Sequence, residues 1–110
     1  MLSSMNLTGE LSGDISSLSE LQTLILVCCG FTGLTPDTIG SLQQLVFLSL
    51  NSNNFSGPIP PSIGNLSKLC WLDLADNKLS GTIPVSNGIT PGLDMLVHTK
   101  HLYIPNSLDV

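Results

Sequence analysis

Hydrophobic residues return to the same positions at a constant interval of 24 along most of the chain. Leucine occupies the first, fourth and sixth positions of three hexapeptides, at residues 21–26, 45–50 and 69–74. Apolar residues that alternate with variable ones predict a short β-strand with one face buried. A glycine- and proline-containing stretch follows each hexapeptide and predicts a turn. A fixed period of this length predicts a stack of equivalent units, each burying its apolar side chains against its neighbours.

The repeated unit matches L-x-x-L-x-L-x-x-N/C-x-L, the pattern of a leucine-rich repeat. Asn53 and Asn77 lie three residues after the last strand leucine, where a side-chain amide can bond to the backbone as the chain turns. Cys29 takes this structural position in an earlier unit. We therefore predict a leucine-rich-repeat solenoid, an α/β-type horseshoe segment. Its concave face is expected to carry a parallel β-sheet, and its convex face short 3₁₀ or irregular segments.

Composition excludes several classes of function. The chain has three lysines, no arginine and a net charge of −5, which disfavours binding to nucleic acid or to an anionic membrane surface. The longest apolar run has six residues (24–29), whereas about 20 are needed to cross a bilayer, so we expect no direct membrane insertion. The sequence contains no nucleophile–base pair, metal-ligand cluster or phosphate-binding loop. It therefore predicts no enzyme activity, no cofactor and no metal site.

The unit from Leu45 to Leu66 reads L-x-x-L-x-L-x-x-N-x-F-x-G-x-I-P-x-x-I-G-x-L. It resembles the extracellular repeats of plant leucine-rich-repeat receptor-like serine/threonine kinases, and the resemblance extends over residues 2–84. It implies an ectodomain fragment that presents its concave face to a peptide or protein ligand, or to a co-receptor, in transmembrane signalling. The kinase motifs of that family are absent from the sequence, which agrees with the expectation that this chain is not an enzyme.

The repeats divide the chain into three predicted segments. Residues 1–84 form about 3.5 plant-type repeats, residues 85–101 an enlarged irregular segment between repeats, and residues 102–110 a truncated next repeat or tail. The resemblance implies the extracellular face of the plasma membrane. The sequence as written shows neither a signal peptide nor a membrane helix, so we expect a cytoplasmic location if it is expressed alone.

Four residues are predicted to contact a ligand on the concave face. Phe47 and Trp71 occupy equivalent strand positions and are expected to lie about 4.8 Å apart, one strand spacing. Asp73 and Asp76 flank this aromatic pair, which makes it a plausible anchor for a peptide or protein. The alternative is that the exposed positions carry no function, or that the pair packs against a further repeat. Other residues expected on this face are Thr23, Ile25, Val27, Cys28, Ser49, Asn51, Ser52 and Ala75.

Asparagine and cysteine residues suggest possible modifications. Asn6, Asn54 and Asn65 each begin an N-x-S/T sequon, so they are possible N-glycosylation sites if the chain is exported. A disulfide between Cys28 and Cys70 is expected to be too long to form, because the two residues lie two turns apart. A redox role for Cys28 is the alternative to an ordinary free thiol.

Two other interpretations of the function remain open at this stage. The chain could be a free-standing leucine-rich-repeat scaffold, decoy or inhibitor, for example of a hydrolase secreted by a pathogen. It could also be a non-functional truncated receptor product.

Overall fold

The computed structural model describes residues 2–3, 9–10, 15, 18–96, 99 and 101–105. This part of the chain contains nine short strands and three 3₁₀ segments. The strands are β1 (Leu2–Ser3), β2 (Gly9–Glu10), β3 (Thr23–Val27), β4 (Phe31–Leu34), β5 (Phe47–Ser49), β6 (Asn54–Gly57), β7 (Trp71–Asp73), β8 (Lys78–Leu79) and β9 (His101–Tyr103). The 3₁₀ segments are Asp37–Ser41, Pro61–Asn65 and Leu93–Met95. None of the helices among the described residues has the length and apolar character needed to cross a membrane.

Five of the strands form the predicted parallel sheet, in the order β1-β3-β5-β7-β9. Leu24 pairs with Leu48, Leu48 with Leu72, and Leu72 with Leu102, so equivalent leucines lie side by side. Equivalent residues of consecutive units therefore pair in neighbouring strands, because each unit brings the chain back to the equivalent position in the next strand of the sheet. The predicted leucine-rich-repeat solenoid is confirmed.

The core lies between this sheet and the 3₁₀ segments on the opposite side of the solenoid. The inward leucines of β5 and β7 contact a layer of isoleucines and leucines from the convex side, and this core is almost completely buried. Its convex members are Ile39, Leu42, Ile63 and Leu66. Each unit buries only part of its apolar surface within itself, so stability depends on contacts between neighbouring units.

A second parallel sheet, with the order β2-β4-β6-β8, was not predicted from the sequence. Its strands have two to four residues and lack the period-two pattern that indicates a strand. Phe31 and Phe55 stack beneath it, with ring centroids 5.9 Å apart. Strands β6 and β8 begin immediately after Asn53 and Asn77, and β4 begins two residues after Cys29. The second sheet therefore fixes the direction in which the chain leaves the concave face.

The convex side is packed so closely that it requires glycine. A Cβ atom added at Gly40 would lie 2.4 Å from the carbonyl oxygen of Ser62, and one added at Gly64 would lie 2.2 Å from that of Gly92. Consecutive 3₁₀ segments therefore touch through their backbones. Gly92 itself, within the enlarged segment, also leaves no room for a side chain, because an added Cβ atom would lie 2.3 Å from the backbone nitrogen of Ser86.

The segment predicted to be irregular, residues 85–101, includes the 3₁₀ segment Leu93–Met95 and the first residue of β9. Leu93 is buried and Leu96 packs against the core, in the manner of Ile63 and Leu66 one unit earlier. The chain therefore resumes its repeat after a short exposed turn. Ile89 at the tip of that turn is 95% exposed.

Candidate ligand-binding face

The open face of the five-stranded sheet brings together the two aromatic residues predicted to be neighbours. Phe47 of β5 pairs with Trp71 of β7 in the strand register. Their rings stack with centroids 4.9 Å apart and planes inclined by 11°. Both side chains are half-buried, because each covers part of the other. The predicted side-by-side arrangement is confirmed. That a ligand contacts the pair remains a prediction.

Two further rings, missed in the sequence analysis, extend this row. His101 of β9 pairs with Trp71, and their ring centroids are 4.5 Å apart. Tyr103 lies 5.5 Å from Trp71 and 6.5 Å from His101, with its plane nearly parallel to that of the histidine. The four residues Phe47, Trp71, His101 and Tyr103 are called the aromatic row below.

Hydrogen bonds at both ends of β9 hold these two rings in place. The Thr99 hydroxyl donates to the carbonyl oxygen of Leu69 at 2.8 Å, just before the strand. The backbone N–H of Leu74 donates to the carbonyl oxygen of Tyr103 at 2.7 Å. The sequence does contain a signal for this arrangement, since T-K-H-L-Y-I at 99–104 aligns with L-C-W-L-D-L at 69–74. The signal is hidden because the interval between these two hexapeptides is longer than the period of the preceding units.

Polar side chains lie next to the aromatic row. The side-chain amide of Asn51 donates to both carboxylate oxygens of Asp73, at 3.1 and 3.0 Å, and the N–H of Ala75 donates to the same group at 3.1 Å. The Ser52 hydroxyl donates to Asp76 at 2.9 Å and also contacts Asn51. The two predicted carboxylates are therefore held in place by neutral donors.

The last residue on the concave side of each unit has a left-handed backbone. Cys28, Ser52 and Asp76, which occupy equivalent positions in consecutive units, have φ angles of 57°, 60° and 55°. This conformation is unfavourable for residues with a Cβ and persists only where the surrounding structure requires it. Here it turns the chain out of the sheet and projects these side chains to the edge of the face.

One predicted surface residue is in fact covered. Ser49 is only 4% exposed, so the expectation that it faces solvent on the concave side is wrong. Ser49 lies in register between Ile25 and Asp73, both of which are larger and cover it. Its hydroxyl accepts a hydrogen bond from the N–H of Asn51 at 3.4 Å. The other residues expected on this face are at least partly exposed.

Beneath the face, the structural asparagines connect consecutive units. The Oδ1 atom of Asn53 accepts from the N–H groups of Cys29 and Phe31, at 3.1 and 3.2 Å. Its Nδ2 atom donates to the carbonyl oxygens of Leu26 (2.7 Å), Leu50 (3.0 Å) and Asn51 (3.2 Å). Cys29 at the equivalent position is fully buried, and its thiol contacts the carbonyl oxygen of Val27 at 3.5 Å. These contacts are of the kind expected of an asparagine amide at this turn position.

Asn77 makes a similar set of contacts one unit later. Its Oδ1 atom accepts from the N–H of Phe55, and its Nδ2 atom donates to the carbonyl oxygens of Leu50, Leu74 and Ala75. In contrast to Asn53, Asn77 is half-exposed.

The possible N-glycosylation sites that the structure describes are not part of the aromatic row. Asn54, at the start of β6, and Asn65, at the end of a 3₁₀ segment, are both exposed, whereas Asn6 lies outside the described residues. None of the three cysteines forms a disulfide, and the thiols of Cys28 and Cys70 are exposed.

Comparisons with known proteins agree with the geometry. The sequence profile described as leucine rich repeat matches residues 19–79. The structure of PEPR1–AtPEP1 is 33% identical over 87% of this chain and 13% of that chain, with a TM-score of 0.79. The BIR3–SERK2 complex from Arabidopsis thaliana is 39% identical over 76% of this chain and 45% of that chain, with a TM-score of 0.74.

A third solved structure is matched over more of its length. The leucine-rich-repeat ectodomain of the receptor kinase SOBIR1 from Arabidopsis thaliana is 31% identical over 97% of this chain and 68% of that chain, with a TM-score of 0.74. The chain thus spans less than half of the first two chains and about two thirds of the third. The comparison with curated proteins found no match.

Proposed function

The chain belongs to the leucine-rich repeat family, and we propose that it is a peptide- or protein-binding segment of the extracellular, ligand-sensing region of a plant receptor-like protein kinase. The observation that carries this proposal is the aromatic row on the open face of the sheet. Large, partly exposed rings supported by a rigid backbone are typical anchors of protein interfaces. One of the similar structures is that of PEPR1–AtPEP1, and another is the BIR3–SERK2 complex.

Phe47, Trp71, Asp73 and Asp76 are the proposed contact residues. The stacked rings of Phe47 and Trp71 supply apolar area, and their side chains are already ordered by each other. The carboxylates are positioned by Asn51 and Ser52 before any ligand arrives. Binding to such a face loses little conformational entropy, because the groups that contact the ligand do not need to be ordered.

In the complete receptor, ligand bound at this face would favour pairing with a co-receptor, and pairing would activate the intracellular kinases. This chain supplies recognition only and no catalytic step. An extracellular location for this segment follows from the same proposal.

The test is a binding experiment with the double variant Phe47→Ala/Trp71→Ala. The chain, immobilised at one end, is exposed to extracellular plant peptides and receptor ectodomains, and bound partners are identified by mass spectrometry. We expect the double variant to lose the partners of the unmodified chain. The matched control is Val85→Ala/Ile89→Ala, which removes two exposed apolar side chains from the turn between units. Equal retention of partners by both variants contradicts the proposal.

The same experiment separates the alternatives. A free-standing decoy or inhibitor would capture a secreted hydrolase and no receptor ectodomain. A non-functional product would capture nothing that depends on the aromatic row.

A further inference from the structure

Three rings of the aromatic row form a triangle at the β7–β9 end of the sheet. The centroids of Trp71, His101 and Tyr103 are 4.5, 5.5 and 6.5 Å apart. A cation that rests on this triangle can lie within about 6 Å of the centroids of Trp71 and Tyr103, which is the range of a cation–π interaction. Tyr103 is 45% exposed and His101 is also exposed, so the triangle is accessible from solvent.

The charge beside this triangle is negative, and the described residues provide no cationic partner for it. Asp73 lies in register with Tyr103 on the neighbouring strand. Its hydrogen bonds come from neutral donors, Asn51 and the backbone of Ala75. In the described part of the chain no lysine pairs with Asp73 or Asp76, and Lys68 donates instead to Gln44. Neutral donors hold the carboxylates in place without neutralising their charge.

We propose that the occupant of this face is a peptide segment that places an arginine side chain against Trp71, Tyr103 and Asp73. A planar guanidinium can stack on aromatic rings and donate to a carboxylate at the same time, whereas a lysine ammonium is a compact and strongly hydrated charge. The net charge of −5 would also attract a basic peptide over a longer range. This inference rests on the proposed function, since it names the chemistry of the ligand that the same face would bind.

The first experiment selects random displayed peptides on the immobilised full-length chain at low salt and about pH 8, where histidine side chains are ordinarily neutral. A parallel selection on Trp71→Ala identifies peptides that bind elsewhere. Tyr103→Ala serves the same purpose if circular dichroism shows that the tryptophan variant is unfolded. We expect the peptides that depend on the aromatic row to be enriched in arginine.

The outcomes distinguish this inference from the proposed function. Peptides that depend on Trp71 but contain no excess of arginine overturn the inference and leave the proposed function intact. If no selected peptide depends on Trp71 or Tyr103, both are overturned.

The second experiment measures the affinity of one selected peptide. Trp71 is the only tryptophan, so its fluorescence reports directly on this site. Replacing the peptide arginine by citrulline keeps its shape and removes its charge, and we expect binding to weaken about tenfold. Asp73→Asn should weaken it to a similar extent. The control is Asp37→Asn, which removes an equal charge from an exposed position in a convex 3₁₀ segment. Unchanged affinity for the citrulline peptide, or an equal loss in the control, overturns the inference.

Discussion

Replacing Asn53 with alanine removes five hydrogen bonds from the interior of the solenoid. The side chain is only 6% exposed, so water cannot readily replace it. The main loss is the acceptor for two backbone N–H groups, those of Cys29 and Phe31. A buried donor that loses its acceptor costs about 1–3 kcal/mol. The carbonyl oxygen of Leu50 still accepts from Asn77 at 2.8 Å. We therefore expect a loss of about 2–4 kcal/mol in the free energy of unfolding.

Asn77→Ala is the matched control, because the two asparagines occupy equivalent positions. Asn77 accepts from one backbone N–H group, that of Phe55, and is half-exposed. Water can therefore form hydrogen bonds with most of the backbone groups that lose Asn77 as a partner. We expect a loss of about 1 kcal/mol in the free energy of unfolding. The measurement is urea-induced unfolding followed by circular dichroism, with both variants compared to the unmodified chain. A loss for Asn77→Ala equal to or greater than that for Asn53→Ala would refute this reasoning.

A second variant, Asn53→Asp, separates the acceptor from the donor role. The aspartate keeps an oxygen near the two N–H groups, but its other oxygen faces the carbonyl oxygen of Leu26. In the unmodified chain, Nδ2 of Asn53 donates to that carbonyl oxygen at 2.7 Å. We expect it to be at least as destabilising as alanine at neutral pH, because a buried charge would then face carbonyl oxygens. A stability close to that of the unmodified chain would show that the acceptor contacts alone matter.

Three further predictions concern other parts of the structure. Gly64→Ala should lower the free energy of unfolding by about 2 kcal/mol, since the new methyl group would meet the backbone of Gly92; an unchanged urea midpoint would contradict this. Hydrogen bonds from the side chain and backbone of Ser86 hold the pKa of Asp94 below its ordinary value, so Ser86→Ala should raise it in an NMR titration. Because that folded-state pKa is lowered, its stabilising effect is present above the ordinary pKa of aspartate and is lost as the pH falls through the folded value. In the native chain two thiols should react with a thiol reagent at once, and that of Cys29 only after unfolding; immediate reaction of all three would contradict its burial.

The repeat architecture and part of the candidate site can be predicted from the amino-acid sequence. Leucines at a fixed period are buried when the units stack as parallel strands with these side chains inside. No single unit can bury them alone. The same period makes Phe47 and Trp71 neighbours, since residues one period apart meet in adjacent strands. The asparagine at the turn was predictable for a local reason, because its amide matches the backbone groups that the turn leaves open.

Which groups complete the open face of the sheet depends on tertiary contacts that the sequence pattern does not reveal. His101 and Tyr103 join the aromatic row only because the enlarged segment returns the chain to its register after a longer interval, and the packing of Leu93 and Gly92 on the convex side allows it to do so. The burial of Ser49 depends on its larger neighbours in two adjacent strands. The second sheet depends on contacts between short segments with no pattern of their own. In each case the contacts that determine the arrangement join different units. A periodic sequence specifies the spacing of its units, but it does not specify as clearly which contacts form where that spacing changes.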